Sequence, residues 1–160
     1  MKPSIEMAKK GEIIQASAYS TVIRGSDGWI YKVSTDPLFT WVEFTMLGKM
    51  LESIYVPVAM RLSSNVLAVE DLGDKEESWG KVTDKAEFVA HGEKILAALK
   101  EAGIRHGDLT KHNIIVRDNI PMVIDFAESK LWDDPALDKR PGGDSVWLRA
   151  ALLEIADGIA

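Results

Sequence analysis

The sequence predicts an α+β fold of two unequal lobes. Short, β-branched segments gather in residues 11–72 around a single helix. An acidic, turn-rich stretch, Gly73–Gly80, then interrupts the pattern and reads as a hinge. Beyond it come an amphipathic helix, a polar loop, an apolar hairpin and a last helix, an order that fits α+β layering. The expected division is a small antiparallel-sheet lobe over 1–72 and a short, mainly helical lobe over 73–160. Together they make one domain, which suits a chain of 160 residues.

Each element follows from its local chemistry. Glu12-Ile13-Ile14-Gln15 and Ser20–Arg24 read as strands, the second rich in β-branched residues. Gly25-Ser26-Asp27-Gly28 predicts a hairpin turn, because glycine and Asp tolerate positive φ, and Trp29–Val33 is the return strand. Thr35-Asp36-Pro37 opens a helix with proline in its first turn. There Leu38, Trp41, Val42, Met46, Met50 and Leu51 recur at helical spacing. Two more strands, Val58–Leu62 and Val66–Val69, flank the turn Ser63-Ser64-Asn65. Asp84 and Glu87 form a capping pattern before a helix whose stripe is Phe88, Ile95, Leu96 and Leu99, and Gly103 ends it. His91 is expected on its exposed side. Strands Ile114–Val116 and Met122–Ile124 follow, joined by Arg117-Asp118-Asn119, and Ser145–Ala156 is the closing helix. Trp29, Trp41 and Trp147 are expected to pack.

Chemistry concentrates in His106-Gly107-Asp108-Leu109-Thr110-Lys111-His112-Asn113. Asp108 and Asn113 share a loop between a helix and a hairpin, and Asp125 stands at the end of the hairpin's second strand. Phosphoryl transfer needs such a set: one carboxylate to orient a hydroxyl, and an amide oxygen and a second carboxylate to hold a hard cation against phosphates. Taken singly, each residue also has a plain reading as turn, strand-edge cap or helix cap. The spacing in this helix–loop–hairpin context is what favours chemistry.

These motifs resemble the protein-kinase-like superfamily. The loop looks like its H-x-D-x-x-x-x-N segment, and Asp125-Phe126-Ala127 looks like D-F-G with alanine replacing glycine. The form is most similar to the small atypical kinases, the RIO family and the kinase subunit of the KEOPS complex. Aminoglycoside and choline phosphotransferases share the His-Gly-Asp variant. The resemblance implies a minimal two-lobed kinase-like fold and use of ATP with Mg²⁺, or with Mn²⁺, which suits the same oxygen ligands. It implies that Asp108 orients or deprotonates the acceptor hydroxyl, while Asn113 and Asp125 bind metal. Lys32, in Ile30-Tyr31-Lys32-Val33, matches the strand lysine that grips phosphates. Glu43, eleven residues on, matches its acidic partner, with Glu52 in reserve.

Leu67–Gly73 resembles the adenine-binding strand, so Val69 stands as gatekeeper, with the Glu70 carbonyl and Leu72 amide facing the base. The phosphate-covering loop departs from its family pattern. Ala16, Ser17 and Ala18 occupy the glycine-rich place, and alanine lacks glycine's freedom at positive φ. Ser17 and Ser20 are expected to offer hydroxyls to phosphate. Asp144 resembles the Asp that braces the catalytic loop, a role compatible with capping the last helix. Lys111 stays open between reaching the γ-phosphate and a local role, and His112 is expected to pack or cap locally.

Composition narrows the rest. The absence of cysteine excludes disulfides, a thiol nucleophile and Cys-ligated metals. Nineteen bases against 25 acids leave a net charge of −6, so nucleic acid is not indicated. No apolar run reaches the ~18 residues of a membrane span, and a cytoplasmic protein is expected. Thirty-five residues follow Asp125, too few for the helical subdomain that encloses small acceptors. The expected acceptor is therefore a protein hydroxyl, possibly the chain's own, or the site is completed by an activating partner. A small-molecule kinase, a pseudokinase and a partner-dependent ATPase switch are the alternatives. The loop Lys130–Gly143 shows no A-P-E segment.

Overall fold

The computed structural model describes residues 1–131 and 143–158. Most of the Lys130–Gly143 loop lies outside them. The N-terminal part is a five-stranded antiparallel sheet in the order β1-β2-β3-β5-β4. Its strands are β1 (Glu12–Ala16), β2 (Ser20–Arg24), β3 (Trp29–Ser34), β4 (Ala59–Arg61) and β5 (Val66–Glu70). In the middle of β3, Lys32 pairs with Val22 on one side and Leu67 on the other. A first helix, α1 (Ile5–Lys10), was not expected from the sequence. The Ser4 side chain caps it by accepting the Met7 N–H. Its Ala8 packs with Tyr31, Val66 and Ala68 in a small cluster on the sheet.

Helix α2 (Pro37–Lys49) starts where expected: the Asp36 side chain accepts the Leu38 N–H, and Pro37 sits in the first turn. Its buried face differs from the predicted stripe. Thr40, Glu43, Met46, Leu47 and the following Met50 turn inward, while Leu38, Trp41 and Leu51 are 58%, 51% and 72% exposed. The helix is apolar almost all round, so spacing alone did not select the face that meets the sheet. Trp41 is thus not a core residue, whereas Trp29 and Trp147 do pack, half-buried, against the two clusters.

The expected hinge contains a short helix, α3 (Lys75–Trp79), capped by Asp74 through the Glu77 N–H. Trp79 is buried and its Nε1 donates to the Ile114 carbonyl. Helix α4 (Lys85–Glu101) is capped by Asp84 as predicted, and the chain leaves it through Gly103 at φ 72°. Its inner face is Phe88, His91, Gly92, Ile95 and Leu99, with Leu96 half-buried. The expectation for His91 is therefore corrected: it is 9% exposed and hydrogen-bonded at 2.8 Å to the Tyr55 hydroxyl. It stands one turn from Phe88 and Ile95 on the same stripe, and Tyr55 pairs its Nδ1, while its Nε2 is buried without a hydrogen-bond partner among the described residues.

A two-residue strand, β6 (Ile104–Arg105), leads into the loop, and β7 (Ile114–Arg117) and β8 (Ile120–Val123) form the hairpin. Asp118 and Asn119 both take positive φ, as a two-residue hairpin turn requires. The Asn119 side chain also accepts the Thr83 and Asp84 N–H groups, tying the hairpin tip to the start of α4. Strand β9 (Lys130–Leu131) pairs with β6. Helix α5 (Gly143–Ala156) begins slightly before the predicted Ser145 and lies against α4. There a Cβ at Gly92 would stand only 2.8 Å from Leu152 Cδ1. One core runs from α2 and β5 through α3 and α4 to the hairpin and α5, so sheet and helices share their apolar interior.

Candidate active site

Between the sheet and the β7–β8 hairpin lies a cleft of about 560 Å³, a size typical of small-ligand sites. Ile14, Val22 and Val69 line it from the sheet, and Leu72 and Ile115 from the other side. These apolar groups form walls suited to a flat aromatic ring. Lys32, Glu43, Asn113 and Asp125 supply its polar end. Cleft-lining Gln15 and Arg24 had no signal in the sequence reading, and Arg24 forms a 2.9 Å ion pair with Asp71 there.

Three of the predicted residues meet directly. The Lys32 ammonium lies 2.7 and 2.9 Å from the two oxygens of Glu43 and 3.4 Å from Asp125 Oδ1. Burial acts against the lysine's charge, but the Glu43 and Asp125 carboxylates outweigh it and raise its pKa. Burial likewise pushes up Asp125, yet Lys32 and the Ala127 N–H hold that carboxyl below its ordinary value. Asp125 is thus ionised at neutral pH, as a cation ligand must be. It takes φ 61°, a left-handed conformation that Asp tolerates better than most residues. The Phe126 backbone also hydrogen-bonds Glu43, joining helix α2 to the segment after β8.

The second group is built on the loop before β7. Asn113 Nδ2 donates to the Asp108 carbonyl at 2.8 Å and to Asp108 Oδ2 at 2.9 Å. With the nitrogen end committed, Oδ1 is the atom Asn113 can offer to a cation. Asn113 and Asp125 are two oxygen donors at one end of the cleft. That fits Mg²⁺, which takes one or two protein ligands and completes its shell with water and phosphate oxygens. Among the described residues no group of three or more His, Cys, Asp or Glu could hold a metal by itself.

Asp144, at the start of α5, clamps the loop with both oxygens: the His106 and Gly107 N–H groups donate to it at 2.8 and 3.0 Å. Other expected residues lie elsewhere. Ala16, Ser17 and Ala18 do not line the cleft. The Ser17 hydroxyl is engaged in its own turn, accepting the Tyr19 and Ser20 N–H groups. Lys111 is 2.7 Å from Glu154 of α5 and lies over the Trp79 ring, so its ammonium is held on the helical side. His112 is exposed beside the same ring. Glu43 rather than Glu52 partners Lys32.

His106 organises this loop from inside. It is fully buried, its Nε2 donates to the Ile124 carbonyl, and its Nδ1 accepts the Asp108 N–H. Its ring meets Phe126 edge-on at 4.8 Å. Neutral imidazole alone can donate at one nitrogen and accept at the other, and burial lowers its pKa below the ordinary 6.5. The unfolded chain therefore takes up this proton first. Stability present above about pH 6.5 is lost as pH falls through the lower folded value. Thermal melts from pH 8 to 5 are expected to show this loss, and His106→Gln to flatten it. An unchanged slope in that variant would remove His106 as its source.

Comparison with known proteins gives this geometry a lineage. The RIO domain profile matches residues 33–138, beginning just after Lys32. The RIO-type serine/threonine-protein kinase Rio1 of Methanocaldococcus jannaschii is 30% identical over 106 residues, covering 61% of this chain and 37% of that one. The chain thus spans little more than a third of that relative's length. The kinase PK-1 of Cydia pomonella granulovirus superposes with a TM-score of 0.55 at 17% identity, over 77% of this chain and 55% of its own. That likeness shows a protein-kinase-like fold.

Proposed function

The chain belongs to the RIO domain family, and from that premise we propose that it is an ATP- and Mg²⁺-dependent phosphotransferase acting on a protein hydroxyl. The observation that carries this reading is the convergence of Lys32, Glu43 and Asp125 at 2.7–3.4 Å beside the linked pair Asp108 and Asn113. Lys32 grips the nucleotide's phosphates, and Glu43 fixes the ammonium. Asn113 Oδ1 and the Asp125 carboxylate hold a divalent cation, which supplies neutralisation of phosphate charge. Asp108 orients the acceptor hydroxyl and takes its proton as the new O–P bond forms and the bond to the ADP oxygen breaks. The protein's contribution is positioning and charge, which suffice for this reaction class.

Ile14, Val22, Val69 and Leu72 enclose the base, with the Glu70 carbonyl and Leu72 amide as its hydrogen-bonding edge. A serine or threonine acceptor accords with the name of the archaeal relative. A cysteine-free chain accords with a cytoplasmic setting. The engaged Ser17 turn and the Lys111–Glu154 pair favour a second reading, in which a partner protein switches the enzyme on or ATP is only hydrolysed. Incubation with γ-labelled ATP and Mg²⁺, alone and with casein or myelin basic protein, separates these outcomes. Label on protein is expected. Free phosphate alone supports the ATPase reading, and neither product despite a thermal shift with ATP rejects catalysis.

A further inference from the structure

Helix α2 buries one face through Thr40, Glu43, Met46 and Leu47, yet its opposite face is also apolar. Trp41, Phe44, Gly48 and Leu51 follow one another at spacings of three, four and three. That is the seam by which one helix packs on another. Among the described residues nothing covers it: Trp41, Phe44 and Leu51 are 51%, 36% and 72% exposed. Beside the seam, Phe44, Gly48, Leu51, Ile54 and Val58 line an apolar groove of about 380 Å³ between the end of α2 and β4.

We infer that this surface is an isologous dimer interface, occupied by α2 of a second copy running antiparallel. The argument is self-complementarity. A dyad level with Met46 sets Phe44 against Gly48 of the other copy and, by the same operation, Trp41 against Leu51. The bulky Phe44 thus meets the one small position of the seam, and each Trp41 enters the groove of its mate. An isologous contact demands this reciprocity of knob and hole. The area agrees as well. Trp41, Leu51, Ile54 and Val58 each leave on the order of 100 Å² of apolar surface in water, judged against the 150–250 Å² that a whole aromatic side chain buries. With Phe44 and Leu38 added, the exposed apolar surface is roughly 500–600 Å², close to the apolar share of the ~800 Å² that each partner buries in a standard interface. The second copy lies behind the helix whose inner face carries Glu43, outside the cleft.

Gly48 makes the test clean. A Cβ there meets nothing within 4 Å in the protomer, and replacing a helical glycine, here in the last turn, favours the helix. Gly48→Glu should therefore fold at least as well as the parent while placing a charge in the seam. Sedimentation equilibrium from 1 to 200 µM is expected to show a concentration-dependent dimer for the parent. Gly48→Glu and Trp41→Glu are expected to be monomeric, with unchanged circular dichroism. The chain lacks cysteine, so the register can be read by cross-linking. Oxidising a mixture of Phe44→Cys and Gly48→Cys proteins should give a disulfide dimer that neither gives alone. A parent that stays monomeric at 200 µM, a Gly48→Glu dimer as strong as the parent's, or equal cross-linking in the single variants each overturns the inference.

Discussion

Replacing Asp108 with asparagine is expected to lower the rate of phosphoryl transfer by about 10²–10⁴-fold, the range for a positioned general base, with ATP affinity nearly unchanged. The expectation rests on what the side chain touches. Asp108 Oδ2 accepts from Asn113 Nδ2 at 2.9 Å, and an asparagine oxygen can keep that bond. The Asn113 amide therefore stays in register, and Lys32, Glu43 and Asp125 belong to a separate cluster that the substitution does not touch. What is lost is a carboxylate able to take a proton from the acceptor. Single-turnover transfer with γ-labelled ATP, beside titration of an ATP analogue, resolves the two effects. Unchanged turnover would remove Asp108 from the role. A parallel loss of nucleotide binding would make it a scaffold residue.

The chemistry of this cleft was legible because the residues that make it sit in a short linear frame. His106, Asp108, Asn113 and Asp125 belong to one loop and the hairpin it enters, so their spacing carries their geometry. Lys32 and Glu43 were legible through their likeness to the family's strand lysine and its acidic partner on the following helix. What stayed hidden was decided by tertiary contact. Helix α2 is apolar on both faces, so only its docking on the sheet shows that Trp41 and Leu51 point outward. Lys111 was undecided in sequence because its partner, Glu154, lies on the last helix. Ser17 looked available until its turn was seen to use the hydroxyl. Two failures had a readable signal. Asp74 and Glu77 repeat the capping pattern recognised at Asp84 and Glu87, and α3 starts there. His91 was placed on the exposed side, although its spacing of three and four from Phe88 and Ile95 puts it on their stripe.

Lys32 separates what the site costs from what it does. Lys32→Met is expected to abolish productive nucleotide binding and also to destabilise the fold by about 3–5 kcal/mol at pH 8, the usual cost of leaving one member of a buried ion pair without its partner. Glu43 is 5% exposed, and without the ammonium its carboxylate would face Asp125 with no compensating charge. Burial already pushes the Glu43 carboxyl up, with Lys32 opposing it. In the variant that opposition is gone. A carboxyl raised in the folded state is tolerated while it is protonated, so the penalty should shrink as pH falls toward the ordinary Glu value and grow as pH rises through the folded one. Denaturant titrations at pH 5 and pH 8 read this directly. The double variant Lys32→Met/Glu43→Leu replaces the pair by apolar groups, which is often neutral or stabilising for buried pairs. It should regain most of the lost stability while remaining inactive. A Lys32→Met protein as stable as the parent at pH 8 would mean that water already screens Glu43. An active double variant would mean that the pair is structural. The expected pattern, stability restored and transfer absent, identifies Lys32–Glu43 as a charge pair kept in the interior for the phosphates it faces rather than for the fold.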